Sequence, residues 1–212
     1  MAKSALIVSG GWEGHQPAEI SRRIAGALRE QALEVTVAES LDCLDDGDVL
    51  KGFDLIVPNW TMGELSGERE KHLSAAVQAG TGFAGLHGGM GDAFRGAITF
   101  KWMVGGMFVG HPHVGKYRVD KVQNSSPIVA ALPESFEYTS EQYYLMVDPA
   151  IEVLATTVYE YEQRLVTMPV AWTKTWGKGR VFYNALGHDP QEYDDYPFVW
   201  QMSVEGMRWA CR

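Results

Sequence analysis

The sequence of 212 residues contains little cysteine, and this bounds its chemistry. Its 2 cysteines, Cys43 and Cys211, are far apart in the chain and fit neither a disulfide framework nor a metal-ligand spacing. That usage is typical of a reducing compartment, so we expect a cytoplasmic protein. Neither thiol follows an expected strand in a sharp turn, and we expect neither to contribute to activity.

Positive charge and long apolar runs are also scarce. Lysine and arginine number 18 against 27 aspartates and glutamates, and the formal net charge is -9. Without a basic cluster the chain is a poor partner for nucleic acid. No apolar segment is long enough to cross a bilayer, and the start of the chain lacks the features of a signal peptide. We therefore expect neither a nucleic-acid nor a membrane partner.

The composition that is present is that of a globular protein. Hydrophobic residues make up 46% and charged residues 21% of the chain, which is enough to form one domain over residues 1–212. Aromatic residues make up 11%, with 7 tryptophans and 9 tyrosines. Such rings most often pack in cores, although they also line pockets for sugars. Exposed Trp and Tyr would also favour a homodimer.

The first half of the chain alternates strands with helices. One helix begins near Pro17 and turns Ile20, Ile24, Ala27 and Leu28 inward, and a second covers Ser66–Ala79 with Ser66 as its N-cap. The expected strands are Ala5–Ser9, Glu34–Ala38, Phe53–Val57 (ended by Pro58) and Phe83–Leu86. This alternation predicts an α/β fold with a mostly parallel sheet and helices on both faces.

The second half is richer in strand patterns. Residues Lys116–Val122 and Ile151–Val158 are expected strands. A β-hairpin is predicted from Pro169–Trp176 and Arg180–Ala185, which flank the turn Gly177–Gly179. A helix over Pro197–Trp209 follows the hairpin.

Polar side chains follow several of these strands. They are His15, Asn59, Trp60, His87 and His188. Open α/β sheets bind ligands beyond the carboxyl ends of their strands, so we expect His15, His87 and His188 to line one pocket. His72 lies within a helix instead, and we interpret it as a solvated surface residue.

The segment Gly85–Gly89 is the sharpest local motif. Its pattern Gly-Leu-His-Gly-Gly matches the strained strand-to-helix turn that presents a nucleophile in hydrolases, with His87 in place of serine or cysteine. A histidine there suits a general base or a metal ligand, although a glycine-rich turn with an incidental histidine explains the pattern as well. We expect the ring to point into solvent-filled space.

Two further clusters follow in the chain. His111 and His113 flank Pro112 on a stiff, extended segment, so only one of them is expected to face the site while the other braces the chain. Glu141 and Tyr143 lie in a polar stretch over Ser140–Tyr144. A lone glutamate is usually a surface residue, and its neighbours are what make this one a candidate.

These motifs together resemble the ThuA-like (trehalose-utilisation) family over almost the whole chain. The matching segments are Gly14-His15, Leu86–Gly89, Gly106–Pro112, Glu141–Tyr143, Pro169–Trp172, Gly177–Val181 and Leu186–His188. The resemblance implies a flavodoxin-like fold of the class I glutamine amidotransferase type. It also implies a role in disaccharide catabolism through 3-keto sugars, beside an NAD-dependent sugar dehydrogenase. Amidotransferases carry a cysteine at the position of His87 and a partner histidine at that of His188, so this chain is not expected to be a functional glutamine amidotransferase.

If His87 and His188 occupy those two positions, their side chains approach one another. With Glu141 or His15 they would form a site with three ligands and one open position, as catalytic zinc or another divalent metal prefers. Without a metal the same groups would transfer protons at a sugar carbon. No nucleotide cofactor is expected.

The leading hypothesis is therefore a sugar-modifying enzyme of lyase, hydrolase or isomerase type whose substrate is a small carbohydrate. Its catalytic residues would be His15, His87, Glu141 and His188, and its substrate-binding residues would be Asn59, Trp60, His111, His113 and Tyr143. The main alternative is a non-catalytic sugar-binding or partner subunit. A hydrolase or amidotransferase of the parent type is disfavoured, because position 87 carries neither cysteine nor serine.

Overall fold

The fold is built on one mixed sheet, seen in a computed structural model that describes residues 2–123 and 126–212. The order of its strands is β2-β1-β3-β4-β9-β8-β7-β5-β6. The strands are β1 (Ser4–Gly11), β2 (Glu34–Ala38), β3 (Leu55–Thr61), β4 (Gly82–Leu86), β5 (Gly106–Lys121), β6 (Ser135–Val147), β7 (Glu152–Tyr161), β8 (Arg164–Trp176) and β9 (Gly179–Asn184). The helices are α1 (Pro17–Glu30), α2 (Gly47–Gly52), α3 (Gly67–Ala79), α4 (His87–Gly91), α5 (Ile98–Val104), α6 (Pro190–Asp195) and α7 (Pro197–Ala210).

The two halves of the sheet differ in strand direction. Strands β2, β1, β3, β4 and β9 pair in parallel, whereas β9, β8, β7, β5 and β6 pair antiparallel. The α/β class is correct, but the mostly parallel, flavodoxin-like sheet is not confirmed. Strands β5 to β9 follow one another without the long helices that parallel pairing requires, so they pair as antiparallel neighbours.

Helices cover both faces of the sheet, as expected. Phe182 and Tyr183 are consecutive in β9 and therefore point to opposite faces. On one face, Gly206 of α7 lies so close to the Phe182 ring that a Cβ there would clash with it. On the other face, Gly91 of α4 lies equally close to the Tyr183 hydroxyl. Glycine is required at both positions because only a residue without a Cβ lets the helix and the sheet approach this closely.

Strand β3 continues through Pro58, which was expected to end it. Asn59 and Trp60 therefore lie within the strand rather than after it. The ladder from β3 to β4 ends at Ile56, so on that side no hydrogen bond is lost at Pro58.

The largest difference lies in the β5–β6 hairpin. Strand β5 has 16 residues and includes His111, Pro112 and His113, with register shifts on either side of Gly110. Strand β6 was not predicted at all. Its middle carries Ser140, Glu141 and Gln142, a polar composition that favours a loop when it is considered alone.

Other local predictions are confirmed. Strands β8 and β9 form the expected antiparallel hairpin, and the Oγ of Ser66 accepts a hydrogen bond from the backbone N–H of Arg69 at the start of α3. Within α1, Ala25 is buried rather than Ala27. His72 is not fully solvated, because it is half-buried with its Nδ1 3.1 Å from the carbonyl oxygen of Leu44. In the described part of the chain, no helix has the length and apolarity needed to cross a membrane.

Candidate active site

Three histidines meet at the carboxyl ends of β1, β4 and β9. His15 ends a short 3-10 helix after β1, His87 opens α4 directly after β4, and His188 follows β9. The ring centroid of His15 lies 4.8 Å from that of His87 and 4.9 Å from that of His188. The centroids of His87 and His188 are 5.4 Å apart. The structure thus brings together the three histidines that the strand ends indicated.

The turn at His87 has the strained backbone that its motif predicts. His87 has a φ of 40°, in the left-handed region that side chains other than glycine rarely adopt. A Cβ at Gly88 would clash with the His15 ring, and one at Gly89 would clash with the Asn59 amide oxygen. The two glycines therefore allow His15 and β3 to pack directly on the turn.

The His87 ring is buried, and its expected exposure to solvent-filled space is wrong. The residue is only 3% exposed. Its ring lies 4.1 Å from that of Tyr143, and its Nδ1 lies 2.7 Å from the carbonyl oxygen of Ala185. The β5–β6 hairpin covers the turn and makes it part of the interior, which a local motif does not reveal.

Glu141 comes from the antiparallel half and lies between three imidazoles. Its Oε2 is 3.3 Å from His87 Nε2 and 3.4 Å from His188 Nδ1, and its Oε1 is 3.5 Å from His111 Nε2. The glutamate side chain is 14% exposed, whereas that of His111 is 43% exposed. His111 therefore stands at the mouth of the cluster, and Glu141 lies inside it.

Hydrogen bonding leaves two ring nitrogens available. A carbonyl oxygen can only accept, so His87 donates from Nδ1 to Ala185, and Nε2 is the ring nitrogen left for another partner. Both His87 Nε2 and His188 Nδ1 are buried and form no well-aligned hydrogen bond within residues 2–123 and 126–212, although each faces Glu141 Oε2. Buried polar atoms without partners are costly, and at a functional site they point to a ligand that the protein binds.

The electrostatics of the cluster are coupled. Burial, together with the nearby His87 and His188, lowers the pKa of His15 to about 3. Burial acts to raise the pKa of Glu141, but its contacts with His188 and His87 outweigh this and hold the pKa well below its usual range. The same contact with Glu141 raises the pKa of His188. Glu141 is consequently an anion among imidazoles.

The structure also separates the expected substrate-binding residues. Tyr143 and His111 contact the cluster, whereas the Nε2 of His113 lies 3.2 Å from the Lys116 carbonyl oxygen. Asn59 donates to the carbonyl oxygen of Pro17 and to Ser21, and so ties β3 to α1 while its side chain lines a small cavity beside His15 and His87. Trp60 packs over Gly10 and Gly63 instead.

Sequence reasoning missed Glu192, a carboxylate that supports the site without facing it. Its carboxylate accepts hydrogen bonds from Tyr138 Oη (2.5 Å), Ser140 Oγ (2.8 Å) and the backbone N–H of His188 (3.1 Å). It thereby joins the strand that carries Glu141 to the loop that carries His188. Its position in α6 gave no signal, since a glutamate in the first turn of a helix is common.

The family model described as ThuA, trehalose utilisation, matches residues 4–210. The chain belongs to the ThuA family. This confirms the resemblance carried by the histidine and glycine motifs, and it points to a role in trehalose utilisation. No curated protein matches the sequence closely.

Solved structures share the fold of this ThuA family member. A ThuA-like protein from Bacteroides uniformis ATCC 8492 is 17% identical with a TM-score of 0.77, and the match covers 98% of this chain and 91% of that one. A ThuA-like protein from Parabacteroides merdae ATCC 43184 is also 17% identical, with a TM-score of 0.75 and coverage of 100% and 90%. A cytoplasmic protein from Salmonella typhimurium LT2 is 13% identical, with a TM-score of 0.67 and coverage of 98% and 97%.

Proposed function

We propose that this ThuA family protein is a carbohydrate-metabolism enzyme that acts on a disaccharide or a 3-keto sugar. Its chemistry would be centred on His87, His188, Glu141 and His15, with a divalent metal bound among them. The observation that carries the proposal is the pair of buried nitrogens of His87 and His188, which face the carboxylate of Glu141 without a well-aligned hydrogen bond to it.

The donor set fits zinc or a similar divalent ion. One ligand atom from each of His15, His87, Glu141 and His188 lies within 4.8 Å of the others. In a tetrahedral zinc site with bonds of about 2.0–2.1 Å, neighbouring ligand atoms are about 3.4 Å apart. The two distances from Glu141 Oε2, 3.3 and 3.4 Å, already match that separation. A bound ion would supply Lewis-acid polarisation of a sugar carbonyl or hydroxyl oxygen.

The chain's own residues have separable roles in this proposal. His87 is held by Ala185 with Nε2 directed inward, and Glu141 supplies negative charge at the centre of the cluster. His111 is the exposed member at the mouth, where it is placed to exchange a proton with a substrate hydroxyl. Tyr143 covers His87 and excludes water from it. A reaction of lyase, hydrolase or isomerase type is compatible with these groups, whereas glutamine amide transfer lacks its nucleophile at position 87.

The cellular setting follows the same proposal. Consumption of a disaccharide suits the cytoplasm, and a structurally similar protein from Salmonella typhimurium LT2 is named a cytoplasmic protein. The two cysteines are free thiols, which agrees with a reducing compartment.

Metal content and turnover test the proposal together. Protein purified without a histidine tag should bind about one equivalent of zinc or another divalent ion, measured by elemental analysis and calorimetry. It should also convert trehalose, a related disaccharide or the 3-keto derivative, followed by NMR. His87→Ala should lose both properties. His72→Ala removes a histidine outside the cluster and should keep both.

Each other result has a definite meaning. Native protein that binds no divalent ion and leaves every sugar unchanged would contradict the proposal. Sugar binding without turnover would support the non-catalytic subunit instead. If the protein turns over a sugar without a metal and His87→Ala abolishes this turnover, the histidines carry the chemistry and the proposed metal ion has no part in it.

A further inference from the structure

An aromatic cavity of about 630 Å³ lies beside the cluster, in the antiparallel half of the sheet. Its walls include Phe108, His111, Pro112, Tyr144, Tyr159 and Tyr161. They come from the bulged part of β5, from β6 and from the end of β7. The volume is in the range of pockets that hold small molecules, about 300–1,000 Å³.

The cavity and the cluster share a wall. His111 lines the cavity, and its Nε2 lies 3.5 Å from Glu141. Phe108 also lines the cavity, and its ring lies 4.5 Å from that of Tyr143, which in turn contacts His87. A molecule in the cavity would thus lie one side chain away from the proposed reacting groups.

The chemistry of the walls selects the ligand. None of the described residues that line the cavity is Asp, Glu, Lys or Arg, so its walls hold no permanent charge that would pair with a phosphate or a carboxylate. Rings dominate, and the Tyr144 and Tyr159 rings meet edge to face at 5.7 Å. Aromatic walls of this kind favour a flat, apolar group through stacking and burial of carbon surface.

We propose that this cavity binds the aglycone of the substrate, and that the aglycone is a flat aromatic group. Of the two substrates proposed above, this favours the 3-keto sugar of an aryl glycoside over a disaccharide, with the sugar ring beside His111 and Glu141 and the aryl group among the tyrosines. This inference rests on the proposed function for the identity of the sugar site. The aryl group is favoured over a second sugar ring, because the polar side chains among the described lining residues are three tyrosines and His111, too few to satisfy most of a sugar's hydroxyls.

Calorimetry with matched glucosides tests the inference. The probes are para-nitrophenyl glucoside and methyl glucoside of the same anomer, which differ only in the aglycone. Native protein should bind the aryl glucoside about tenfold more tightly. Tyr159→Ala should remove most of this preference. Trp102→Ala is the matched control, since Trp102 is an exposed aromatic residue on α5, outside the walls, and this variant should keep the preference.

The same titrations separate this inference from the proposed function. His87→Ala should lose turnover but retain the aryl preference, because the cavity walls are unchanged. Equal affinity for the two glucosides would overturn the inference. It would also be overturned if free para-nitrophenol bound as tightly as its glucoside, or if trehalose bound more tightly through Tyr159. Sedimentation provides one more check, since a dimer that Tyr159→Ala dissociates would assign the cavity to a second copy of the chain.

Discussion

The parallel and antiparallel halves of the sheet contribute to the molecule in different ways. All five residues of β4 are buried, whereas only three of the 16 residues of β5 are, and the rest are half-buried or exposed. Large exposed apolar side chains include Val109, Val114, Val158 and Leu165 on the antiparallel strands, whereas Val37 on β2 is the one such side chain on the described parallel strands. Parallel strands covered by helices form a rigid core, while the antiparallel strands keep one surface open.

The site lies where these halves meet, and each half supplies a different kind of group. The parallel half presents His15, His87 and His188 from loops at strand ends. The antiparallel half presents Glu141 and Tyr143 from the middle of a long strand. The parallel half therefore determines where the chemistry is, whereas the antiparallel half closes the site and forms the neighbouring cavity.

Core truncation should give the largest contrast between the halves. Phe182→Ala removes a fully buried ring of β9 against which α7 packs, and should lower the free energy of unfolding by about 3–5 kcal/mol. Leu165→Ala, at a residue 75% exposed on β8, should change it by less than about 0.5 kcal/mol. Urea denaturation measures both. If the two variants lost similar amounts of unfolding free energy, the antiparallel face around Leu165 would be covered in solution.

The connection between the halves is tested at Glu192. Glu192→Gln replaces one carboxylate oxygen by an amide N–H₂ that cannot accept a hydrogen bond, so at least one of the three bonds that Glu192 accepts is lost or reversed and the spacing between β6 and the His188 loop should loosen. Support of this kind is worth about 10–100-fold in metal affinity, and zinc titration should show a loss of that size.

Asp195→Asn is the control for Glu192→Gln, because Asp195 is an exposed carboxylate of the same helix and accepts only from Gln191 in the described hydrogen bonds. Its zinc affinity should match that of the native protein. If Glu192→Gln lowers the melting temperature while zinc affinity stays native, the residue supports the fold and not the site.

The smallest effect is expected at the cysteines, both of which lie in the parallel half and away from the cluster. Burial raises the pKa of Cys43 to about 11 and also raises that of Cys211, so both thiols are poor nucleophiles near neutral pH. The variant with Cys43→Ser and Cys211→Ser should keep its zinc affinity and turnover within about twofold of native. Inactivation of native protein by a thiol reagent that spares the variant would disprove this.

Sequence patterns predicted the parallel half well. Apolar runs such as Phe83–Leu86, and helices with clear starts at Pro17 and Ser66, correspond closely to observed elements. They predicted the antiparallel half less well, because β6 is polar in its middle, and in the parallel half they ended β3 too early at Pro58. In both places tertiary pairing overrides a local preference.

The sequence by itself determined which chemical groups exist and where three of them meet. Histidines placed after strands, with glycines around His87, are local features that strand geometry carries to one edge of the sheet. Only the tertiary structure decided that Glu141 joins them and that Ala185 directs the His87 ring. Those contacts join residues 54 and 98 positions apart along the chain. The first depends on how the β5–β6 hairpin folds over the turn at His87, and the second on the pairing of β9 with β4. Pairing over such distances leaves no periodic pattern in the chain.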